Sequence, residues 1–228
     1  MSVDVRAFTV GPVQENSYIV RADSAARRAV IVDPGEEADR LLQAAAALEV
    51  EIEAILITHC HFDHIGAVAP IARATGAPVY CPKIERPVLA DVMSWVPSGF
   101  GPFESYEADH TVSGGERLSL AGLDIDVVFT PGHSPGHVTY AFSGALLSGD
   151  VLFQGSVGRV DLPGGDWATL ERSIEGLLEA FPAETVVYPG HMGVTTLGRE
   201  RDTNPFLSEL RARVPRATAA PDAAPAER

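Results

Sequence analysis

The segment THCHFDHIGA, residues 58–67, carries three histidines and one aspartate within six positions, directly after an apolar run. Alternate residues of an extended chain point to the same side, so the imidazoles of His59 and His61 can reach one common point. Asp63 and His64 follow where the pattern turns into a helix, and their side chains can reach a second point nearby. Imidazole nitrogen and carboxylate oxygen are ligands that zinc takes in catalytic sites. The spacing therefore indicates two adjacent metal ions.

Three further candidate ligands follow apolar segments elsewhere in the chain: His133 in TPGH, Asp150 in LLSGD and His191 in YPGH. Each lies at the end of a predicted strand. Strand ends at one edge of a sheet are where α/β folds place their chemistry, because the strands hold the flanking loops rigidly. A single His-x-His pair often lies on a protein surface without binding metal, but the combination of these motifs favours a metal centre.

The first half of the chain supplies the elements that would position the histidine motif. Short β-branched segments separated by turns predict a strand-rich start up to residue 33, and apolar residues at helical spacing predict a helix over residues 36–50. A buried strand over residues 52–59 leads into the motif. A helix over residues 63–76 then ends at a glycine, with Pro70 shortening or kinking it.

Strands and helices also alternate in the second half. The segment 96–110 mixes Pro, Gly and aromatic residues, which predicts a long loop that could lie over a cleft or be an ordinary surface loop. Strands return from residue 111. The sequence therefore predicts one domain over residues 1–213 and a disordered Ala/Pro-rich tail over residues 214–228. Three more helices are expected, over residues 84–95, 167–181 and 204–214.

Other chemically capable residues have different expected roles. His137 lies four residues beyond His133, and we expect it to support a ligand or to pack in the core. His110 is expected in the loop. Cys60 should point away from the metals by strand alternation and act as a small buried hydrophobe. GSVG at residues 155–158 is too short for a phosphate-binding loop and lacks its lysine, which argues against nucleotide binding.

Composition limits the remaining classes of function. The chain has 228 residues, 46% of them hydrophobic, and a formal net charge of −14, which argues against a nucleic-acid partner. Its start lacks the pattern of a signal peptide, and no apolar run is long enough to cross a bilayer, so we expect a cytoplasmic protein with no membrane partner. Two cysteines cannot build a disulfide framework. The oligomeric state stays open.

Five motifs in chain order, VDPG, THCHFDHIGA, TPGHSPGH, LLSGDVLF and YPGH, resemble those of the metallo-β-lactamase superfamily. The resemblance covers nearly all of the chain and implies an α/β fold, a four-layer αββα sandwich with its metal site at one edge between two sheets. It also implies two divalent metal ions, zinc above all, with iron or manganese possible, and a small-molecule substrate. Asp33 would support the ligand loops. One metal would be held by His59, His61 and His133, the other by Asp63, His64 and His191, and Asp150 would bridge them.

GSVGRVDLPGGD and GRERDTNPFL further resemble the short bacterial branch related to glyoxalase II, the hydroxyacylglutathione hydrolases. This branch implies hydrolysis of 2-hydroxyacyl thioesters such as S-lactoylglutathione by a metal-bridging hydroxide, with Asp63 and Asp150 as catalytic residues. Arg159 would be either a clamp for a carboxylate on the thiol half or an ordinary surface arginine. Full-length glyoxalase II carries an additional C-terminal helical domain, whereas only residues 192–228, which include NPFLSELRARV and the Ala/Pro-rich tail, follow His191 in this sequence, so we expect no such domain here and the thiol carrier stays open.

Two alternative functions remain. The first is a persulfide dioxygenase with a single iron, because GRVDL resembles its motif nearly as well. The second is a metal-binding protein without turnover, which would predict a closed site. A nucleic-acid-processing relative is disfavoured by the acidic charge and by the missing basic surface.

Overall fold

A six-stranded sheet forms from the first half of the chain in the computed structural model, which describes residues 3 to 213. Its strands lie side by side in chain order. The first three pair antiparallel through tight connections, and the last four pair parallel, so each parallel pair needs a longer crossover that includes a helix. The strands are β1 (Asp4–Val10), β2 (Glu15–Arg21), β3 (Arg28–Val32), β4 (Glu51–Leu56), β5 (Val79–Pro82) and β6 (His110–Val112).

The second half of the chain builds another six-stranded sheet, which is antiparallel except for the pairing of β10 with β13. Its strands, from one edge to the other, are β14 (Thr195–Thr196), β13 (Val186–Pro189), β10 (Ala145–Gly149), β9 (Val138–Phe142), β8 (Leu123–Phe129) and β7 (Arg117–Leu120). A small hairpin pairs β11 (Leu152–Phe153) with β12 (Ser156–Val157) beside this sheet.

Helices cover the outer face of each sheet. On the first sheet lie α1 (Ala38–Ala47), α2 (Phe62–Ile65), α3 (Val68–Thr75), α4 (Arg86–Ala90) and a 3-10 turn (Val92–Ser94). The later helices are α5 (Trp167–Ala180), α6 (Leu197–Thr203), a 3-10 turn (Pro205–Leu207) and α7 (Ser208–Arg213). Among the described residues, none of these helices is long and apolar enough to cross a membrane.

Strand alternation explains why the layers stack as they do. In and just after β4, Ile55 and Ile57 face α1 and α3, whereas Ala54 and Leu56 face the second sheet. Successive side chains of a strand point to opposite faces, so one apolar run can fill two separate cores. A third apolar cluster packs α5 against the outer face of the second sheet. The expected four-layer αββα sandwich is therefore confirmed.

Three expectations about the elements need correction or qualification. The helix expected over residues 63–76 is divided into α2 and α3, because Ala67 leaves the helical conformation and its amide donates to the Pro34 carbonyl at 3.0 Å. Pro70 lies in the first turn of α3, where a missing N–H costs no helical hydrogen bond. His110 begins the exposed strand β6 instead of lying in the loop. The expected tail, residues 214–228, lies outside the described residues.

Candidate metal centre

The candidate ligands all follow the ends of strands. His59 and His61 lie just beyond β4, and His61 is the residue that precedes the first turn of α2. The extended backbone at this position, φ −67° and ψ 147°, keeps its imidazole on the side of His59. Asp63 and His64 belong to the short helix α2 itself. The turn that the sequence predicts here is therefore what aims two pairs of side chains at two neighbouring points.

Three imidazoles converge at the first point. The Nε2 atom of His133, which follows β8, lies 2.8 Å from Nδ1 of His61 and 3.2 Å from Nε2 of His59. Nε2 of His59 and Nδ1 of His61 are 3.1 Å apart. Three nitrogens this close, at the base of a cleft, match the three-histidine arrangement that catalytic zinc sites use.

The second point is formed by Asp63, His64 and His191, whose ligand atoms all lie within 4.8 Å of one another. Asp150, directly after β10, lies between the two groups. Its Oδ2 is 3.5 Å from Nε2 of His133 in the first group and 3.5 Å from Nε2 of His191 in the second. The seven residues expected as ligands are thus brought together, with one carboxylate facing both groups.

Two unpaired buried atoms show that this arrangement fits metal ions. Nε2 of His64 and Oδ1 of Asp150 are 3.4 Å apart, and neither forms a hydrogen bond of acceptable geometry with the described residues. An unpaired buried polar atom is costly, and native proteins rarely leave one without a reason. Divalent cations coordinated by these atoms would satisfy both.

Hydrogen bonds from neighbouring residues fix the orientation of the ligand rings. Nδ1–H of His64 donates to Oδ2 of Asp33 at 3.0 Å, which leaves Nε2 free to coordinate. The same Asp33 carboxylate accepts the Thr58 amide and hydroxyl, so it is engaged as a support for the loop. Nδ1–H of His133 donates to the backbone carbonyl of Arg159 at 2.7 Å. Such outer partners set the tautomer and raise the basicity of a ligating imidazole.

His137 supports a ligand, as expected from its position. Its Nε2 accepts the backbone N–H of Asp150 at 3.1 Å, and its Nδ1 lies 3.1 Å from the Thr130 hydroxyl. Its ring stacks on His59 with centroids 4.9 Å apart. His137 therefore fixes the backbone that carries the central carboxylate and has no nitrogen left for a metal.

Burial and charge set protonation states that suit metal binding. Burial lowers the pKa of His59 and His137 well below the usual value, and burial with neighbouring imidazoles lowers the pKa of His61 to about 4. Burial alone would raise the pKa of Asp150, but the surrounding imidazoles, His64 first, outweigh it and lower that pKa. Two ligating imidazoles are thus neutral and the central carboxylate is ionised at neutral pH, as coordination requires. Against burial, the neighbouring carboxylates Asp63 and Asp150 raise the pKa of His64 and His191, so a metal ion bound there would displace a proton from each.

Comparison with known proteins identifies the family to which this fold belongs. The family model described as the metallo-beta-lactamase superfamily matches residues 10–191, a span that contains every candidate ligand. The chain belongs to the metallo-beta-lactamase superfamily. The match covers most of the chain, and the two sheets flanked by helices are the architecture of its structural neighbours.

Two relatives of this superfamily member are described as hydrolases. The probable metallo-hydrolase YqgX of Bacillus subtilis (strain 168) is 40% identical over 210 residues, which cover 89% of this chain and 97% of that protein. The hydroxyacylglutathione hydrolase GloC of Haemophilus influenzae is 32% identical over 211 residues, 90% of this chain and 99% of that protein.

Two solved structures are also similar over their full lengths. The BLEG-1 B3 metallo-beta-lactamase has a TM-score of 0.84 and 39% identity, covering 90% of this chain and all of that one. TTHA1623 in a di-iron-bound form has a TM-score of 0.72 and 42% identity, covering 89% of this chain and all of that one.

An open cleft of about 710 Å³ leads to the candidate metal centre of this superfamily member. His61, Asp63, Asp150 and His191 form its polar floor, and the 96–110 loop borders it through Pro97 and Phe100. The loop is tied to the ligand motif, because the rings of Phe62 and Phe100 lie 4.7 Å apart. A molecule can therefore reach the ligands from solvent.

Glu85 is a functional residue that the sequence did not reveal. Its buried carboxylate accepts the Cys60 amide at 3.0 Å, the Ser134 hydroxyl at 2.6 Å and the Gly136 amide at 2.8 Å. It therefore ties the His59–His61 segment to the His133 loop, 25 and 49 residues away along the chain. No spacing or motif in CPKIERP distinguishes it from a surface glutamate.

A second support holds the His191 loop. The Asn16 amide donates to the carbonyls of Pro189 and Met192 at 3.1 and 2.9 Å, and the Tyr18 hydroxyl donates to Pro189 at 2.7 Å. Both residues lie on β2, where every residue is buried. A run of polar residues, ENS, at the start of a strand with buried apolar neighbours was the available signal.

Arg159 and Cys60 take positions that limit their roles. The Arg159 side chain is exposed at the rim of the cleft and donates to both carboxylate oxygens of Asp161 at 2.7 Å. Cys60 points away from the imidazoles into the first core, with its Sγ 3.5 Å from Sγ of Cys81. The structure thus agrees with a packing role for Cys60, while Arg159 contributes its backbone carbonyl to the site.

Proposed function

We propose that this protein is a binuclear metal-dependent thioesterase of the glyoxalase II kind, which hydrolyses 2-hydroxyacyl thioesters such as S-lactoylglutathione. One observation carries the proposal: two groups of ligands share the Asp150 carboxylate at the floor of an open cleft. The similarity to GloC, a hydroxyacylglutathione hydrolase, supports the substrate class. An open cleft argues against a metal-binding protein without turnover.

Each of the seven candidate ligands has an expected role in binding the two ions. His59, His61 and His133 would hold one ion, Asp63, His64 and His191 the other, and Asp150 would contact both. Divalent ions held there supply a Lewis acid for the thioester carbonyl and lower the pKa of a water molecule toward about 7.

The protein's own contribution is to keep this arrangement fixed while the substrate binds. The Asp150 carboxylate stays ionised, because the surrounding imidazoles hold its pKa low, and its position between the two ligand groups would let it hold both ions. Asp63 lies at the floor of the cleft and is oriented by His191, whose Nε2 is 3.2 Å from Oδ2. Preorganised groups of this kind cost no rearrangement during the reaction.

The ligand set suits several metals. Histidine and carboxylate ligands without thiolate accept zinc, iron or manganese, so occupancy should follow the metal supply. TTHA1623, a similar structure, is described in a di-iron-bound form. We expect two metals per chain, of an identity that changes with the growth medium.

The deciding experiment measures metal content together with hydrolysis of a thioester panel and oxygen consumption with a persulfide. Two metals per chain with thioester hydrolysis support the proposal. One iron per chain with oxygen consumption would instead support a persulfide dioxygenase. Full metal occupancy with neither activity would show that the thioesterase assignment is wrong.

A further inference from the structure

The cleft beside the candidate metal centre has an apolar wall. Its lining includes Ile84, Val88, Trp95 and Phe100, together with Leu162. Trp95 and Ile84 are each 57% exposed, and exposed large apolar side chains grouped in one cleft are typical of a ligand-binding groove. Because Phe100 packs on Phe62, this wall is built onto the ligand segment itself. Apolar surface is therefore presented to whatever enters the cleft.

The size of the cleft shows which part of a thioester would meet this wall. A cavity of about 710 Å³ lies in the range that buries a drug-sized molecule. A three-carbon acyl group at the metal ligands fills only a small part of that space. The remaining volume, including the wall, is left for the thiol half of the substrate.

Charge argues against an anionic thiol half. Arg159 is the only arginine or lysine among the described residues that line the cleft, and Asp161 already binds it through both oxygens. Of the carboxylates in the lining, Asp63 and Asp150 would face the metal ions, and Glu85 accepts three hydrogen bonds from the ligand loops, so none of them could pair with a charged thiol half. Glutathione brings two further carboxylates, which this lining is poorly equipped to pair.

We propose that the preferred substrate has an uncharged thiol half with an apolar group, which packs against the wall formed by Ile84, Val88, Trp95 and Phe100. This inference rests on the proposed thioesterase function. It assigns carrier recognition to burial of apolar surface, with Trp95 as the main contact, and gives Arg159 no part in it.

The first test is a series of S-lactoyl thioesters of N-acylcysteamines whose N-acyl chain lengthens from acetyl to octanoyl, with S-lactoylglutathione alongside. We expect kcat/KM to rise by about threefold for each methylene that enters the cleft, and the longer members to exceed S-lactoylglutathione. Trp95→Ala should reduce the advantage of octanoyl over acetyl by roughly tenfold. Trp167→Ala, which removes an exposed tryptophan at the start of α5, should leave the series unchanged.

A binding measurement separates this inference from the proposed function. The chain has two tryptophans, so Trp167→Phe leaves Trp95 as the single tryptophan reporter in the metal-loaded protein. Thioether analogues, in which CH₂ replaces the carbonyl, are titrated against its fluorescence and should bind more tightly as the N-acyl chain lengthens.

Hydrolysis without any effect of chain length, in turnover or in binding, would overturn the apolar site and keep the thioesterase. Length-dependent binding without hydrolysis of any thioester would support the apolar site and overturn the thioesterase. A preference for S-lactoylglutathione that Trp95→Ala does not change would also overturn the apolar site.

Discussion

Gly190→Ala should damage the candidate metal centre without replacing any of its ligand residues. Gly190 lies between β13 and His191, and a Cβ on it would lie 2.6 Å from Cε1 of His64 and closer still to Oδ1 of Asp150. The Gly190 backbone cannot move away easily, because its N–H donates to the Gly149 carbonyl at 2.8 Å and its carbonyl accepts the backbone N–H of Asn16 at 2.7 Å. The ligand side chains must therefore move.

The required movement sets the magnitude. Ordinary contact with a Cβ begins near 3.4 Å, so the His64 ring would have to recede from 2.6 to 3.4 Å, about 0.8 Å. Metal–ligand distances in a working site vary by only about 0.2 Å. Disturbing the surroundings of a ligand typically lowers metal affinity by about 10- to 100-fold. We expect a loss of this size at the group formed by Asp63, His64 and His191, and a smaller loss at the three histidines.

The assay is equilibrium competition with a chromophoric chelator, combined with metal analysis per chain. Gly176→Ala is the matched control, because a Cβ at this position in α5 would meet nothing within 4 Å. Thermal unfolding in excess chelator shows whether each variant still folds. If folded Gly190→Ala binds two metals with affinities within threefold of wild type, the steric argument is refuted.

The remaining predictions concern the carboxylates and the buried imidazoles. Asp150→Ala should lower thioester turnover at least about a hundredfold, with unchanged far-UV circular dichroism. The control, Asp126→Ala, changes an exposed carboxylate and should leave turnover intact. Full activity of Asp150→Ala would exclude the central role of this carboxylate. Glu85→Gln should destabilise the chelator-treated protein by about 1–3 kcal/mol in urea unfolding, because the new NH₂ group faces the Cys60 amide and cannot accept from it. The exposed Glu51→Gln should change stability by less than about 0.5 kcal/mol, and an equal effect of the two changes would contradict the role of Glu85. Finally, the pKa values of His59, His61 and His137 lie below the usual value in the folded metal-free protein. Below about pH 6.5 the unfolded chain therefore binds more protons than the folded protein, and the free energy of unfolding falls as the pH falls. Burial raises the pKa of Glu15, so the folded protein holds one proton there that the unfolded chain lacks, whereas His64 and His191, whose pKa is raised, are largely protonated in both states at this pH. The unfolded chain therefore binds about two more protons, and stability should fall by roughly 3 kcal/mol per pH unit between about pH 6 and 5. Stability that increases on acidification in chelator would contradict this sign.

The sequence by itself determined which residues meet at the candidate metal centre. The side chains of His59 and His61 share one side because strand alternation is a local property, and the turn into α2 redirects Asp63 and His64 within the same short segment. Apolar runs before His133, Asp150 and His191 placed these residues at strand ends. The five motifs together implied the superfamily and its four layers, which the family model and the sheets confirm. That these residues bind metal stays a prediction for metal analysis.

Only the tertiary structure decided which residues hold and shape the site. Glu85, Asn16 and Tyr18 act on loops that are 25 to 176 residues away in the chain, and no local pattern encodes a contact across such a separation. The Arg159 carbonyl orients His133 while its guanidinium faces solvent, a division that residue type cannot reveal. The apolar wall around Trp95 likewise forms where α4, the 3-10 turn after it and the 96–110 loop meet, because side chains from separate elements share one cavity only after the layers have packed.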